Sequence, residues 1–217
     1  MVAATKFPHS QEEIRERARR RPFTAADLPA LPEDGHRYEI IGGQLIVSPS
    51  PNSRHQRVSF ELSGALYVFL KQTGLGQGFS APADVHLSST NVVQPDVFVV
   101  LRERSDIVQE RGVFGAPDLV VEILSPSSME TDFLRKSRLY EQYGVREYWI
   151  VNPERETVSV QTLDGDRFVL TGEYVRSDVL HSAVLEGFEL QLSTIFPETK
   201  PELTQPAIEE KTPTHDD

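Results

Sequence analysis

The chain has 217 residues, with 38% hydrophobic and 25% charged content, enough for one globular domain with a sizeable core and some appendages. It contains no cysteine, which excludes a disulfide scaffold, a thiolate zinc site and a cysteine nucleophile, and fits a reducing compartment. A formal net charge of −11 argues against a strong non-specific nucleic-acid binder, yet leaves room for a nuclease whose basic residues are local and whose acidic residues hold metal.

The first residues, Met-Val-Ala-Ala-Thr-Lys, are not followed by an apolar stretch, and no apolar run is long enough to span a bilayer. No signal peptide or membrane association is expected, and a cytoplasmic location follows as the expectation. Residues 9–21, HSQEEIRERARRR, read as a charged helical arm, better explained as a solvated helix than as a nucleic-acid contact. Thr24 is placed to cap a short helix over residues 25–28, with Asp27 at the capping-box position and Pro29 behind it.

Residues 38–47 read as a hairpin turned at Gly42-Gly43, because glycine supplies the positive φ angles of a two-residue turn. After the loop Ser48-Pro49-Ser50-Pro51-Asn52, residues 53–72 predict a helix stopped by Gly74. Val58, Leu62, Ala65, Leu66 and Phe69 form its apolar stripe, and His55 falls at the N-terminal end of that stripe. A histidine there is either a satisfied core residue or a site residue. Glu61 faces the other way, towards solvent. Gly74, Gly76 and Gly78 lack the spacing and the following Lys-Ser/Thr of a phosphate loop.

Residues 79–87 and 92–101 read as two strands joined through Ser88-Ser89-Thr90-Asn91. The second opens with Gln94-Pro95-Asp96, where proline suits a strand start. Residues 102–111 read as a polar, helix-like connection. The stretch 117–124, Pro-Asp-Leu-Val-Val-Glu-Ile-Leu, reads as a buried strand. Alternation sets Leu119, Val121 and Ile123 on one face and Val120, Glu122 and Leu124 on the other. Glu122 therefore lies among core residues, where a carboxylate costs several kcal/mol unless paired. It is an internal salt bridge, a metal ligand or a catalytic carboxylate.

Ser127 and Glu130 form a capping-box pattern for a helix through Tyr143, stopped by Gly144. A strand over residues 147–151 completes a βαβ-like unit. Residues 158–163 and 167–170 make a further hairpin turned at Asp164-Gly165-Asp166, and residues 190–196 a short closing segment. Residues 198–217 are polar, acidic and proline-bearing, and read as a disordered tail. No internal repeat is found.

On the helix after Ser127, Phe133, Leu139, Tyr140 and Tyr143 share a face, and Lys136 projects into the middle of it with Asp132 near the border. A lysine on a core stripe is unusual, because burying an unpaired ammonium is unfavourable. It snorkels or pairs with Asp132, or it stands beside a buried carboxylate site; helical side chains lean back towards the strand that carries Glu122. Asp118 lies about 13 Å from Glu122 along that strand, too far to share one metal. Asp96 opens another strand. If the two strands are neighbours, about 4.8 Å apart, the acids converge. Two carboxylates plus water suit Mg²⁺. Such an ion activates water and neutralises a phosphate, with lysine stabilising negative charge.

Pro95-Asp96 followed at a distance by an acid in an apolar strand resembles the PD-(D/E)xK nuclease superfamily. The chain more specifically resembles the Uma2 (DUF820) family of restriction-endonuclease-like proteins, over roughly residues 22–197. The residues that carry this are Tyr38-Glu39-Ile40-Ile41-Gly42-Gly43, Ser48-Pro49-Ser50-Pro51 with Arg54-His55-Gln56, and Val93-Gln94-Pro95-Asp96. Residues 115–127, Lys136, Tyr140 and Gly144-Val145-Arg146-Glu147-Tyr148-Trp149 continue it.

The resemblance implies a restriction-endonuclease-like α/β fold: a mixed central sheet flanked by helices, with an N-terminal hairpin and C-terminal strands. It implies Asp96 and Glu122 as ligands of Mg²⁺ or Mn²⁺, with the Ile123 carbonyl as a third, and DNA as substrate. The superfamily's lysine two residues after the acid is replaced here by Leu124, and Lys136 from the following helix matches its substitute. Glu39 and His55 are further catalytic candidates, for metal support or for orienting water. A homodimer is expected only by analogy with nucleases of this fold. The competing expectation is a non-catalytic nuclease fold kept for nucleic-acid or protein binding. A paired-carboxylate glycosidase fits poorly, since the single tryptophan, Trp149, lies in a core-like strand.

Overall fold

The computed structural model describes residues 21–125 and 130–196. The expected N-terminal arm (save Arg21), the Ser127 cap and the acidic tail lie outside them. In chain order the strands before the central stretch are β1 (Arg37–Ile41), β2 (Gln44–Ser48), β3 (Gly76–Ser80), β4 (Val85–Ser88), β5 (Asn91–Val93), β6 (Val97–Leu101), β7 (Val108–Gln109) and β8 (Gly112–Phe114). There follow β9 (Leu119–Ile123), β10 (Glu147–Asn152), β11 (Thr157–Asp164), β12 (Arg167–Val175), β13 (Val179–His181) and β14 (Glu189–Gln191). Helix α1 spans Ser53–Thr73 and helix α2 spans Glu130–Tyr143.

The strands form a six-stranded sheet in the order β12-β11-β10-β9-β6-β3, a second in the order β2-β1-β5-β4-β8-β7, and the small pair β13-β14. The β1–β2 hairpin turns at Gly42 and Gly43 with φ of +58° and +75°, the left-handed pair expected from the sequence. Strands β9 and β10 run parallel with α2 between them, the βαβ unit read from the pattern.

Strand β9 is buried on both faces. Leu119, Val121 and Ile123 pack with Val58, Leu62, Leu66 and Leu70 of α1. Val120 faces Phe98, Tyr140 and Tyr148, together with Val85 and Val93 of the second sheet. A strand with covered faces needs a near-continuous apolar sequence, which Leu-Val-Val-Glu-Ile provides at every position except Glu122.

Two expected strands are each divided. Residues 79–87 supply β3 and β4, and residues 92–101 supply β5 and β6, and the halves belong to different sheets. Pro82 and Pro95 sit at the breaks and cannot donate to a ladder, so the paired chains leave one sheet and enter the other together. The connection expected over 102–111 is a 3-10 helix at Arg102–Ile107, and β7 then pairs with β8. The β13–β14 pair was not expected from the sequence. Among the described residues no helix is long and apolar enough to cross a membrane.

Candidate active site

Strands β6 and β9 are antiparallel neighbours, with Val97 opposite Val121 and Phe98 opposite Val120. Continuing that register by one step sets Asp96 opposite Glu122, on the face turned towards α2. The strand adjacency on which their convergence depended is therefore present.

Asp96 is buried and held from three sides. The Arg37 guanidinium donates to Oδ1 at 2.7 Å, His55 Nε2 lies 3.1 Å from Oδ2, and the Ile123 amide donates to Oδ2 at 2.8 Å. Burial alone would raise this carboxyl. The His55 hydrogen bond and charge, the Arg37 charge and the Ile123 amide overcome it and hold the group at about 2. Ile123, whose carbonyl the family resemblance implies as a ligand, contacts Asp96 through its amide.

Glu122 has a different environment. Lys136 Nζ lies 3.0 Å from Oε1 and Tyr140 donates to the same oxygen at 2.6 Å. Lys136 also lies 2.8 Å from Glu39 Oε1, which accepts the Gln94 amide at 2.8 Å. Lys136 is therefore not snorkelling. Burial pushes the Glu122 carboxyl up and the Asp96 and Glu39 charges add to that; Lys136 and Tyr140 only partly offset them, leaving it at about 7. Burial opposes the charged Lys136 ammonium, but Glu122 and Glu39 outweigh it and raise its pKa further.

His55 occupies the first turn of α1. Its backbone N–H is capped by Asn52 Oδ1 at 2.9 Å, so the cap that starts the helix also sets the imidazole against Asp96. The loop from Pro49 to Asn52 lines a cleft of about 210 Å³ with Arg37, Glu39, Asp96, Glu122 and Lys136. All five side chains proposed from the sequence thus gather at one end of the central sheet.

The donor chemistry fits a small hard cation. A carboxylate offers four lone-pair sites. Asp96 Oδ1 has one donor, Arg37, and Glu122 Oε2 has no hydrogen bond to a described residue. An oxygen on each acid retains capacity for a metal. Among the described residues no three His, Asp or Glu side chains converge as a metal cage. Two carboxylates with water completing the shell is the pattern Mg²⁺ accepts.

Arg37 was not identified from the sequence. It lies two residues before Glu39 on β1, so the same period that places Glu39 inward places Arg37 beside it. Asp118 and Glu147 are buried acids that stay outside the cleft lining. Asp118 accepts from the Leu101 amide and from Arg104, at 2.9 and 3.0 Å. Glu147 binds Trp149, the Ser182 hydroxyl and the Ala183 and Val184 amides. Both tie structural segments together.

Residues 25–193 match a family model, Uma2, described as "Putative restriction endonuclease". The chain belongs to the Uma2 family. The fold is similar to a crystal structure of "a putative nuclease belonging to DUF820 from Anabaena variabilis ATCC 29413", with a TM-score of 0.67 at 20% identity. The match covers 81% of this chain and 98% of that one. It shows the restriction-endonuclease-like architecture: mixed sheets flanked by few helices, the class expected from the sequence. No curated protein matches the chain. Membership of Uma2 supports a nuclease as the functional class of the chain.

Proposed function

We propose that this Uma2 protein is a Mg²⁺-dependent (or Mn²⁺-dependent) endodeoxyribonuclease, with its site at Asp96, Glu122 and Lys136. The observation that carries the reading is the convergence of Asp96 and Glu122 from adjacent strands beside the buried Lys136 ammonium in one cleft. Asp96 and Glu122 would hold the cation, with the Ile123 carbonyl as a further oxygen. When bound, the ion supplies charge neutralisation at the scissile phosphate and an activated water.

The chain's own residues do the rest. Arg37, His55 and the Ile123 amide fix the Asp96 carboxylate in one orientation. Tyr140 and Lys136 fix Glu122. An ammonium has three donors, and Lys136 uses two, on Glu39 and Glu122, leaving one for the attacking water or a phosphate oxygen. A preorganised donor of this kind stabilises charge that develops as water attacks phosphorus and a phosphorus–oxygen bond breaks. Glu39 supports the reaction by holding Lys136, and His55 by holding Asp96.

A second reading draws on the same pairing. Each of the three carboxylates already has a cationic partner, as a structural ion network would, and the net charge of −11 disfavours the nucleic-acid backbone. That reading is a nuclease fold retained for binding. The deciding experiment is cleavage of supercoiled plasmid and single-stranded DNA with Mg²⁺ or Mn²⁺, using wild type and Glu122→Ala. Cutting by wild type alone supports the nuclease. Cutting by neither, across salts and metals, favours the binding module. Equal cutting by both moves the site elsewhere.

A further inference from the structure

A groove of about 830 Å³ opens beside the cleft and shares Arg37, His55 and Asp96 with it. Two aromatic side chains of its lining stand in water: Phe114, 42% exposed, and Phe60 of α1, 78% exposed. Large apolar rings left exposed at a concavity beside a polar site mark a recognition surface.

Phe114 is built as a platform. His86 and Phe114 are register partners across the parallel strands β4 and β8. Their rings stack with centroids 4.4 Å apart and an interplanar angle of 4°. Burial lowers the pKa of the His86 imidazole behind Phe114, against the nearby Asp84 charge, and so favours its neutral form.

The groove lining also carries polar side chains, among them Gln56, Ser59, Asp84 and Gln94. Among the described residues five buried side-chain polar atoms lack a partner, and three of them, His55 Nδ1, Ser63 Oγ and Gln94 Oε1, belong to side chains that line this groove. With polar and charged side chains interleaved among its apolar ones, the lining fits an occupant that has both a flat apolar face and polar edges better than a lipid chain or an apolar helix. The charges are mixed: Arg37 and Arg111 stand with Glu33, Asp84 and Asp96. Three carboxylates against two guanidinium groups oppose a run of phosphates, whereas a neutral planar heterocycle meets no such barrier.

We propose that this groove receives an unpaired nucleobase of the nucleic-acid substrate, stacked on the exposed face of Phe114, while the adjoining phosphodiester reaches the Asp96–Glu122 cleft. The inference rests on the nuclease reading and narrows it to single-stranded or locally unpaired substrate. A nucleobase has the flat face that Phe114 offers to cover and edge groups that suit the polar part of the lining. In continuous duplex that face is already stacked and unavailable. The groove volume lies in the range of sites for small organic molecules.

The test is binding of a fluorescein-labelled single-stranded 12-mer and of the same 12-mer in duplex, followed by anisotropy in Ca²⁺, with the full chain as wild type, Phe114→Ala and Phe60→Ala. The single strand is expected to bind at least tenfold tighter than the duplex. Phe114→Ala should weaken the single strand about 5- to 150-fold, the range for losing one base–aromatic stack, and leave duplex binding unchanged, whereas Phe60→Ala should weaken it less. A 2-aminopurine placed in the strand should be quenched by wild type and not by Phe114→Ala. Equal affinity for both substrates, no binding of the single strand, or undiminished binding and quenching by folded Phe114→Ala overturns the proposal. Plasmid cleavage without single-strand preference would overturn the groove assignment and spare the nuclease. Preferential single-strand binding without metal-dependent cleavage would do the reverse.

Discussion

Lys136 and Glu122, 14 residues apart in the chain, meet as an ion pair of 3.0 Å in the interior, and the same ammonium lies 2.8 Å from Glu39. One cation thus separates two acids from different strands, β1 and β9. Its neutral isostere would leave them facing each other unpaired. Lys136→Met is expected to destabilise the protein by about 3 kcal/mol at pH 8, the scale for breaking a buried pair. The loss should shrink at pH 5, where Glu122 takes up a proton. Urea unfolding at the two pH values reads this directly; equal losses would mean that Glu122 is ionised at both. Lys136→Met should also remove metal-dependent cleavage, if Lys136 stabilises the phosphate as proposed.

Glu122 has its own pH signature. Its folded pKa of about 7 lies above the ordinary 4.5, so the folded state binds the proton more tightly than the unfolded chain does. The associated stability is fully present below about pH 4.5 and is lost as pH rises through about 7, amounting to at most about 3 kcal/mol. Without metal, wild type should therefore lose stability relative to Glu122→Gln between pH 5 and 8. A cation competing with that proton should raise the melting temperature of wild type more at pH 8 than at pH 5, and leave Glu122→Gln little changed. Thermal unfolding with Mg²⁺ and with EDTA checks both arms. A flat difference across pH would show that Glu122 is not the proton-binding carboxylate.

Asp96 should respond in the opposite sense. Its folded pKa of about 2 lies below the ordinary 3.8. The stability it contributes is present above about pH 4 and is lost as pH falls through about 2. Asp96→Asn should therefore be less stable than wild type at pH 7, with the gap narrowing as pH drops from 4 towards 2. The variant also loses the charge that organises Arg37, His55 and the Ile123 amide, so cleavage should be abolished while the fold survives. Cleavage that persisted in folded Asp96→Asn would remove this residue from the metal site.

The centre of this arrangement is legible in the sequence because it depends on short-range rules. Period-two alternation in β9 and the helical wheel of α2 each placed one charged residue, Glu122 and Lys136, on an apolar face. An apolar face with a charge on it demands a partner, and the two find each other. What escaped notice depends on long-range pairing. The strands read over 79–87 and 92–101 ran through Pro82 and Pro95, and no local rule says that the chain on either side of these prolines enters a different sheet. Arg37 fell one residue before the hairpin as read, although its spacing from Glu39 carried the signal. The β13–β14 pair has only three residues in each strand, too few for alternation to register.

Glu147 provides the contrast between a structural acid and a site acid. It is fully buried at the start of β10, and its carboxylate accepts from the Ser182 hydroxyl at 3.1 Å and the Ala183 and Val184 amides at 2.7 and 2.8 Å, besides the Trp149 indole. All its partners are donors of the fold and it does not line the cleft. Glu147→Ala would leave the Ala183 amide and the Trp149 indole unsatisfied in the interior and the Val184 amide with only Ser182 Oγ at 3.2 Å, at about 1–3 kcal/mol for each unsatisfied donor that water cannot reach. The expected result is a stability loss of at least about 2 kcal/mol, with faster hydrogen exchange at Ala183 and Val184. The folded fraction should retain undiminished metal-dependent cleavage, measured below the melting temperature. Loss of cleavage in folded Glu147→Ala would show instead that the 182–185 turn is coupled to the cleft across the sheet.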